Sequence, residues 1–578
     1  MLRKIEAVIK KAVGGKVQVF VTTSEKPEFG DYSTNIAFSL AKEKTFRQAQ
    51  GKKFPAEIAG DLVKKIQNSD KKRFFEKVES TGGFVNLWVS KKVLIGELGS
   101  LLKTKSYNPK AKRLKINLEF ISANPTGPLT MANGRGGFLG DTLAKILEVA
   151  GHKVTREYYI NDAGNQIRLL GDSILAVLGK VLERDEHYQG AYIKDLADVL
   201  KSKILSSTGE KKLDSEAIGR LAAAELLKQI KISLKNSGIE FNNWFSEYEN
   251  LHKKDELKKV LALLEKKGLV EKKEGAVWLK QFVIGGLFAR PDSKKESGLG
   301  LKTSDIADPD ATVGAGEKDR VLVKSDGKPT YFLSDLAYHY DKFVKRKFDL
   351  AVDIWGADHH GYVARLQSGV KALGIDSDRL KIIITQLVRL IEDGKEVRMS
   401  KRKGDFITLD ELIEELGGKP SSAKASAGRD AARFFFLMHT PDSHMDFDLA
   451  LAKERSLKNP VYYVQYAYVR AFNILKRADA ESKISDLKSL SKESELALIK
   501  ELVKFPDMVL QIAEDYQVSR LARYAMSVAR AFNNFYEKER VIGENGEVLP
   551  ERLALVTVFK DIFARVFALL GIDAPEKM

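Results

Sequence analysis

The stretch that most constrains this chain is 114–159, where a strand, a turn crowded with proline and glycine, a helix and a second strand follow in order. Leu114–Ile121 (LKINLEFI) reads as a buried strand. Ser122–Gly134 (SANPTGPLTMANG) reads as a turn, because proline sets φ and glycine lets the backbone bend where other residues clash. Gly136–Ala150 puts Leu139, Leu143, Ile146 and Leu147 on one helical face. Lys153–Tyr159 is strand-like again. A strand, a crossover helix and a strand predict a parallel sheet, so the expected fold class is α/β with a Rossmann-like core. Later short strands are expected at Arg320–Val323, Leu350–Ile354 and Lys381–Thr385. Residues 170–270 read as mostly helical and charged, an insertion between sheet halves. In doubly wound sheets ligands bind outside the carboxyl ends of the strands, where Asn124–Arg135 falls. Unpaired amides and the helix dipole favour phosphate there. An ordinary tight crossover turn fits the same segment equally well. No Gly-x4-Gly-Lys-Ser/Thr run occurs, so P-loop chemistry is not supported.

The chain has 578 residues, enough for three or four domains at roughly 150 residues each. Residues 1–108 mix both patterns: Leu2, Ile5, Val8 and Ile9 recur at helical spacing, and Phe84–Val89 alternates as a strand. Lys44–Lys53 is polar and reads as an exposed insertion, and Lys103–Arg113 as a linker. Beyond about Asp410 helices dominate, and Gly417–Gly428 is a low-complexity loop. There are no cysteines, which removes disulfides, thiol catalysis and cysteine-ligated zinc. No His-Glu-x-x-His is present, so no zinc site is expected. No apolar run approaches the ~18 residues a membrane span requires, and the charged start of the chain does not resemble a secretory signal. Lys and Arg number 96 against 79 Asp and Glu, a net charge of +17. That excess favours polyanions through Coulomb attraction and counterion release, with nucleic acid, ribosome and anionic membrane all compatible.

The run from Glu119 through Asn124, Pro125 and Gly127, followed by Asn133-Gly134-Arg135-Gly136-Gly137 and Asp141, resembles the ATP signature of arginyl-tRNA synthetases. Relatives of this class usually carry His-x-Gly-His where this chain has Thr130-Met131-Ala132-Asn133. Asn133 keeps an amide donor for phosphate, Thr130 offers only a short hydroxyl, and Ala132 adds a methyl. Arg398-Met399-Ser400-Lys401 resembles the family's second signature, Lys-Met-Ser-Lys. The resemblance implies that Lys401 stabilises the leaving pyrophosphate, with Asn133 and Thr130 as its catalytic companions. It implies ATP contacts from Pro125, Gly127, Gly134, His359, Arg398, Met399 and Ser400. For arginine it implies Glu119, Asn124, Tyr331 and Asp335, with Asp162 and Gln166 shaping the pocket. A planar guanidinium calls for carboxylates, and Tyr331 and Asp335, four apart, share one helical face. A helix cap with a packed aromatic would give that spacing too.

Trp355–Gly361 (WGADHHG) resembles the family's loop beside adenosine; Asp-His-His is also a metal-ligand run in some phosphoesterases, but the further ligands such chemistry needs do not appear. Phe84 and Asn86 match positions where relatives stack on and bond a tRNA base, although a core Phe with a turn Asn fits as well. Tyr466 and Arg470, on the stripe begun by Tyr462, match the family's anticodon-binding bundle, and most such stripes are packed core. The domains implied are 1–108, an α+β tRNA-corner-binding domain; 109–410, catalytic, with a helical insertion at about 170–290; 411–455, a stem-contact connector; and 456–578, an all-α anticodon-binding bundle. The function implied is ATP-dependent formation of arginyl-adenylate, then transfer to the terminal ribose 2′-hydroxyl of tRNA for arginine. A non-catalytic tRNA-binding relative is the alternative. ATP with Mg2+, no zinc, no membrane, a monomer and a cytoplasmic location complete the expectation.

Overall fold

The computed structural model describes all residues except 15–16, 18, 25–26, 43–53, 104–112, 208–212, 281–319, 397–406, 418–424 and 479–486. The expected insertion Lys44–Lys53 and most of the expected linker and low-complexity loop lie outside the described residues. Contacts divide the chain into two units. One comprises 1–110, 433–438 and 451–578; the other comprises 111–432 and 439–450.

In the first unit, helix α1 (Leu2–Val13) buries Leu2, Ile5 and Ile9, the face its spacing predicted. Strands β1 (Thr22–Thr23), β2 (Tyr32–Thr34), β3 (Phe75–Thr81) and β4 (Phe84–Val89) form an antiparallel sheet in the order β1-β2-β4-β3. Helices α2 (Ile36–Lys42), α3 (Pro55–Ser69) and α4 (Lys91–Lys103) complete this part. Gly83, at φ +95, makes the hairpin turn possible, and a Cβ there would lie 2.8 Å from the Phe38 ring.

The second unit is built on a five-stranded parallel sheet. Its strands are β5 (Lys115–Glu119), β6 (Lys153–Ile160), β7 (Asn243–Ser246), β8 (Leu350–Gly356) and β9 (Leu380–Thr385), in the order β9-β8-β5-β6-β7. Helix α5 (Met131–Val149) is the crossover between β5 and β6. It begins five residues earlier than its apolar periodicity suggests, because Thr130 caps it: the hydroxyl accepts from the Asn133 amide. One expectation needed correction. The 170–290 insertion is helical through α6 (Asn165–Val177), α7 (Ala191–Leu205), α8 (Ser215–Asn236) and α9 (Glu256–Lys266), but it also supplies β7, the edge strand beside β6. A four-residue edge strand is too short to show a period. The short strand expected at Arg320–Val323 is present at Val321–Val323, where it pairs antiparallel with Ala276–Leu279 in a separate small sheet.

After β7, helix α10 (Tyr331–Tyr340) continues into a wider π-type turn at Asp341–Lys345 and packs over the sheet. Helix α11 (Val363–Ala372) lies between β8 and β9. Beyond β9, Val388–Glu392 pairs in parallel with Met445–Asp448, and helix α12 (Leu409–Gly417) follows the second signature. The chain closes, in the first unit, with α13 (Pro460–Ala478), α14 (Glu493–Leu502), α15 (Phe505–Asp515), α16 (Ser519–Lys538) and α17 (Pro550–Leu570), the all-α region expected there.

Candidate active site

A cleft of about 620 Å³ opens at the carboxyl ends of β5 and β8, the edge where a parallel sheet presents strand ends and helix N-termini to a ligand. Glu119 closes β5, and Ser122, Ala123 and Asn124 lead away from it along one wall. Ala132 and Asn133 in the first turn of α5 continue that wall. The opposite side is Tyr331, Ser334 and Asp335 on α10, with Trp355 to His359 beyond β8. Six expected site residues therefore meet on one cleft: Glu119, Asn124, Asn133, Tyr331, Asp335 and His359.

Others stand elsewhere. Thr130 does not line the cleft; its hydroxyl donates to Asn133 Oδ1 at 2.9 Å, and its amide donates to the same oxygen at 2.8 Å. That leaves the Asn133 amide nitrogen as the donor facing the cleft. Pro125 is buried in the turn, and neither it nor Gly127 lines the cleft. Gly134 serves packing: a Cβ there would lie 2.6 Å from Leu409 Cδ1. Arg398, Met399, Ser400 and Lys401 lie outside the described residues, but the chain that follows the segment rests on the start of α5. Thr130 bridges Thr408, and Met131 N donates to Ile407 O at 2.9 Å. The buried Arg135 guanidinium donates to the carbonyls of Gln386 (2.8 Å), Leu387 (3.3 Å), Thr440 (2.8 Å) and Ser443 (2.7 Å). Asp162 accepts from Ser246 Oγ and the Tyr248 amide, the turn role weighed for it. Gln166 does line the cleft.

Asp335 is half-buried on the cleft wall, and the desolvation it suffers there pushes its carboxyl up to about 7, with the Tyr362 hydroxyl bond and the nearby His339 pulling the other way. Glu247, buried after β7, lines the same cleft and holds His252 Nε2 at 3.0 Å. Glu247, Tyr362, His339 and Asp353 were not singled out in the sequence. The available signal was a charged or polar residue closing an apolar strand, as in AVDIW and NWFSE. Asn161 Oδ1 and Gln166 Oε1, on cleft-lining residues, are buried acceptors with no protein donor among the described residues.

In the first unit, Phe84 is 46% exposed and Asn86 only 3%. The Asn86 amide donates to Thr81 Oγ1 at 3.3 Å, so the aromatic alone of that pair faces solvent. Arg470 lies over the rings of Tyr466 (4.5 Å) and Tyr536 (4.7 Å) and donates to Asn533 Oδ1 at 3.0 Å. Tyr466 and Tyr462 stack at 6.3 Å.

Family models match three stretches of the chain. Residues 1–89 match the arginyl tRNA synthetase N terminal domain, 97–425 the catalytic domain of tRNA synthetases class I (R), and 464–578 the DALR anticodon binding domain. Among curated relatives, arginine–tRNA ligase of Carboxydothermus hydrogenoformans is 39% identical, covering 96% of this chain and 94% of the relative. That of Acetivibrio thermocellus is 38% identical over 100% and 98%. The solved arginyl-tRNA synthetase of Thermus thermophilus superposes over 100% of both chains with a TM-score of 0.75 at 23% identity, a likeness of fold.

Proposed function

The chain belongs to the class I arginyl-tRNA synthetases, and on that premise we propose which of its residues hold each substrate. It is an arginine–tRNA ligase: arginine is activated with ATP to arginyl-adenylate and passed to the 2′-hydroxyl of the terminal ribose of tRNA. Activation needs no protein nucleophile. The arginine carboxylate attacks the α-phosphate in line, pyrophosphate leaves, and positioning with charge neutralisation supplies the acceleration.

The observation that carries the residue assignment is the convergence of Asn124 and Asn133 from one wall with Tyr331 and Asp335 from the other on a single cleft. Asp335 takes the guanidinium and Tyr331 lies against it, because a delocalised cation is held best by a carboxylate and an aromatic face. Glu247, on the same cleft, adds negative charge to that end. Asn161 Oδ1 and Gln166 Oε1 accept from the substrate's donors, which satisfies two buried oxygens that otherwise have none. Asn124 orients the α-amino acid end, and Glu119 bounds the floor beneath it. The Asn133 amide, at the N-terminus of α5, meets the triphosphate, where the helix dipole and free amides favour negative charge. His359 and Trp355 border the adenosine. Lys401 and Arg398 supply positive charge to the departing pyrophosphate, with Met399 and Ser400 between them in the sequence as further ATP contacts. Magnesium would come bound to the triphosphate and neutralise part of its charge; among the described residues no group of three acidic or imidazole side chains converges to hold a metal ion.

Phe84 offers a stacking face to the tRNA corner, and the Tyr462, Tyr466 and Arg470 ladder offers aromatic and guanidinium planes to anticodon bases. The enzyme works as a monomer in the cytoplasm. No described helix is long and apolar enough to cross a membrane.

Arginine-dependent ATP–pyrophosphate exchange, run with and without tRNA for arginine, tests the reading. Exchange is expected with arginine and absent with lysine or citrulline, which lack the planar cation. No exchange at saturating tRNA would turn the chain into a non-catalytic tRNA-binding relative.

A further inference from the structure

Three carboxylates stand abreast across the parallel sheet. Asp353 on β8 is in register with Glu119 on β5, and Glu119 with Glu157 on β6. All three are buried, at 0%, 7% and 0% exposure. The chain that carries Tyr331 and Asp335 lays His339, Lys342 and Arg346 over this row. Positions 331, 335, 339, 342 and 346 recur at helical intervals, so one stripe bears both the substrate contacts and the cations.

Each of these side chains meets the row, and His339 and Lys342 share Asp353. Arg346 and the Tyr338 hydroxyl engage Glu157. His339 Nε2 lies 2.9 Å from Asp353 Oδ2, and its Nδ1 lies 2.8 Å from the Asp335 carbonyl. Lys342, with no solvent exposure, donates to Glu119 Oε2 at 2.7 Å and to Asp353 Oδ1 at 2.8 Å. Ser122 Oγ donates to the other Glu119 oxygen at 2.9 Å. Glu119 and Asp353 line the cleft, yet all four of their oxygens are met from within. Asp335 differs: its bonded oxygen meets only a neutral hydroxyl, that of Tyr362.

We propose that Lys342 is a positioning residue for arginine activation: by neutralising Glu119 and Asp353 it leaves Asp335 as the carboxylate that draws the substrate guanidinium, and so fixes the depth at which arginine sits. The inference rests on the assignment of this cleft to arginine. Without an internal cation between them, two anions on neighbouring strands attract any cation that enters, and arginine is the cation this cleft admits. Arginine drawn to the floor would be bound with its carboxylate away from the α-phosphate.

Non-productive binding has its own kinetic sign, because kcat and KM fall together. Lys342→Gln removes the charge but keeps an amide donor. In pyrophosphate exchange it is expected to lower kcat at least tenfold and arginine KM with it, leaving ATP KM within twofold. Adding Asp353→Asn restores the charge balance and is expected to return both parameters to within about threefold of wild type. A structural defect alone would lower kcat by reducing the folded fraction and leave arginine KM unchanged, so the paired fall of kcat and KM is what marks a positioning role. Wild-type kinetics in Lys342→Gln, or a folded double variant no better than the single, overturns the proposal. If the single variant does not fold, a folded and active double variant supports it, and a double variant that is unfolded or inactive overturns it. Asp335→Asn separates the two levels: unchanged arginine KM in that variant removes the pocket assignment itself, whereas a raised arginine KM beside wild-type kinetics in Lys342→Gln removes only the role of Lys342.

Discussion

Asp335 ties the chemistry of the site to pH. Burial holds its carboxyl at about 7, against roughly 3.9 in an unfolded chain, so near neutrality the empty pocket is partly protonated. Guanidinium binding requires the ionised form. Arginine affinity should therefore fall as pH drops below 7, by up to about tenfold per unit, while ATP affinity does not follow. Calorimetric arginine titrations between pH 5.5 and 8 check this; an arginine Kd flat across that range contradicts the pocket assignment. Stability carries the opposite sign. The folded pKa is raised, so the contribution of Asp335 is full below the unfolded value and is lost as pH rises through about 7. Asp335→Asn should accordingly melt above wild type at pH 8, with the gap closing toward pH 5. Asp353 and Glu157 lie the other way. Burial opposes their ionisation, but Lys342 and His339 for the first, and Arg346 for the second, outweigh it and hold both carboxyls low. The residues at 331 and 335 were legible from their spacing and resemblance as a pair facing one cleft, which is where they stand. Lys342 was not, because nothing in its charged surroundings along the chain distinguishes a buried charge from a solvated one, and for Glu247 the one local signal was its place directly after the short strand NWFS.

Close packing of α6 on α8 depends on one glycine from each helix. A Cβ at Gly171 would lie 1.7 Å from Ser215 O, and one at Gly219 would lie 1.8 Å from Ile167 O. No side-chain movement relieves a clash with backbone, so the helices would have to part and open their shared core of Ile167, Leu170, Ile174, Ala222 and Leu226. Gly171→Ala should cost about 1–3 kcal/mol. Gly60, mid-helix in α3 with nothing within 4 Å among the described residues, should respond the other way and gain about 0.5–1 kcal/mol as alanine. Urea midpoints of the two variants read both signs, and a common sign would refute the packing argument. In the sequence both glycines break a helical pattern in the same manner; which one faces a neighbouring helix is a property of the pair. The first turn of α5 teaches a related lesson. Its apolar period begins at Gly136 onward, yet the helix starts at Met131, since the Thr130–Asn133 cap and the Arg135 guanidinium hold that turn together with the buried Met131.

The N-terminal sheet and the C-terminal bundle belong to one compact unit although the whole catalytic region separates them in sequence. Helix α4 packs on α14 and α17, and Lys500 on α14 pairs with Asp31 at 2.9 Å. Asp31 Oδ2 also accepts from the Val89 amide at 2.8 Å, so one carboxylate joins sheet and bundle. Removing residues 1–110 should therefore uncover apolar faces of the bundle. A lower melting temperature and aggregation are expected, beyond any loss of tRNA affinity. A shortened enzyme that melts as the full chain does would make the N-terminal part an independent appendage.

By itself the sequence determined what depends on neighbours along the chain. It established the strand, turn, helix and strand of 114–160, the placement of the ATP signature at its turn, the i, i+4 pairing of Tyr331 with Asp335, and a helical C-terminal region. Periodicity and local turn chemistry act over a few residues, and a motif is read in the same way. Only the tertiary structure decided what depends on register between distant segments. Asp353, Glu119 and Glu157 share a row because three strands align, β7 joins the sheet at its edge, and Lys342 lies between two carboxylates it is 11 and 223 residues away from. Such charges are tolerated in a core only when each meets a partner, and the fold alone supplies the partner.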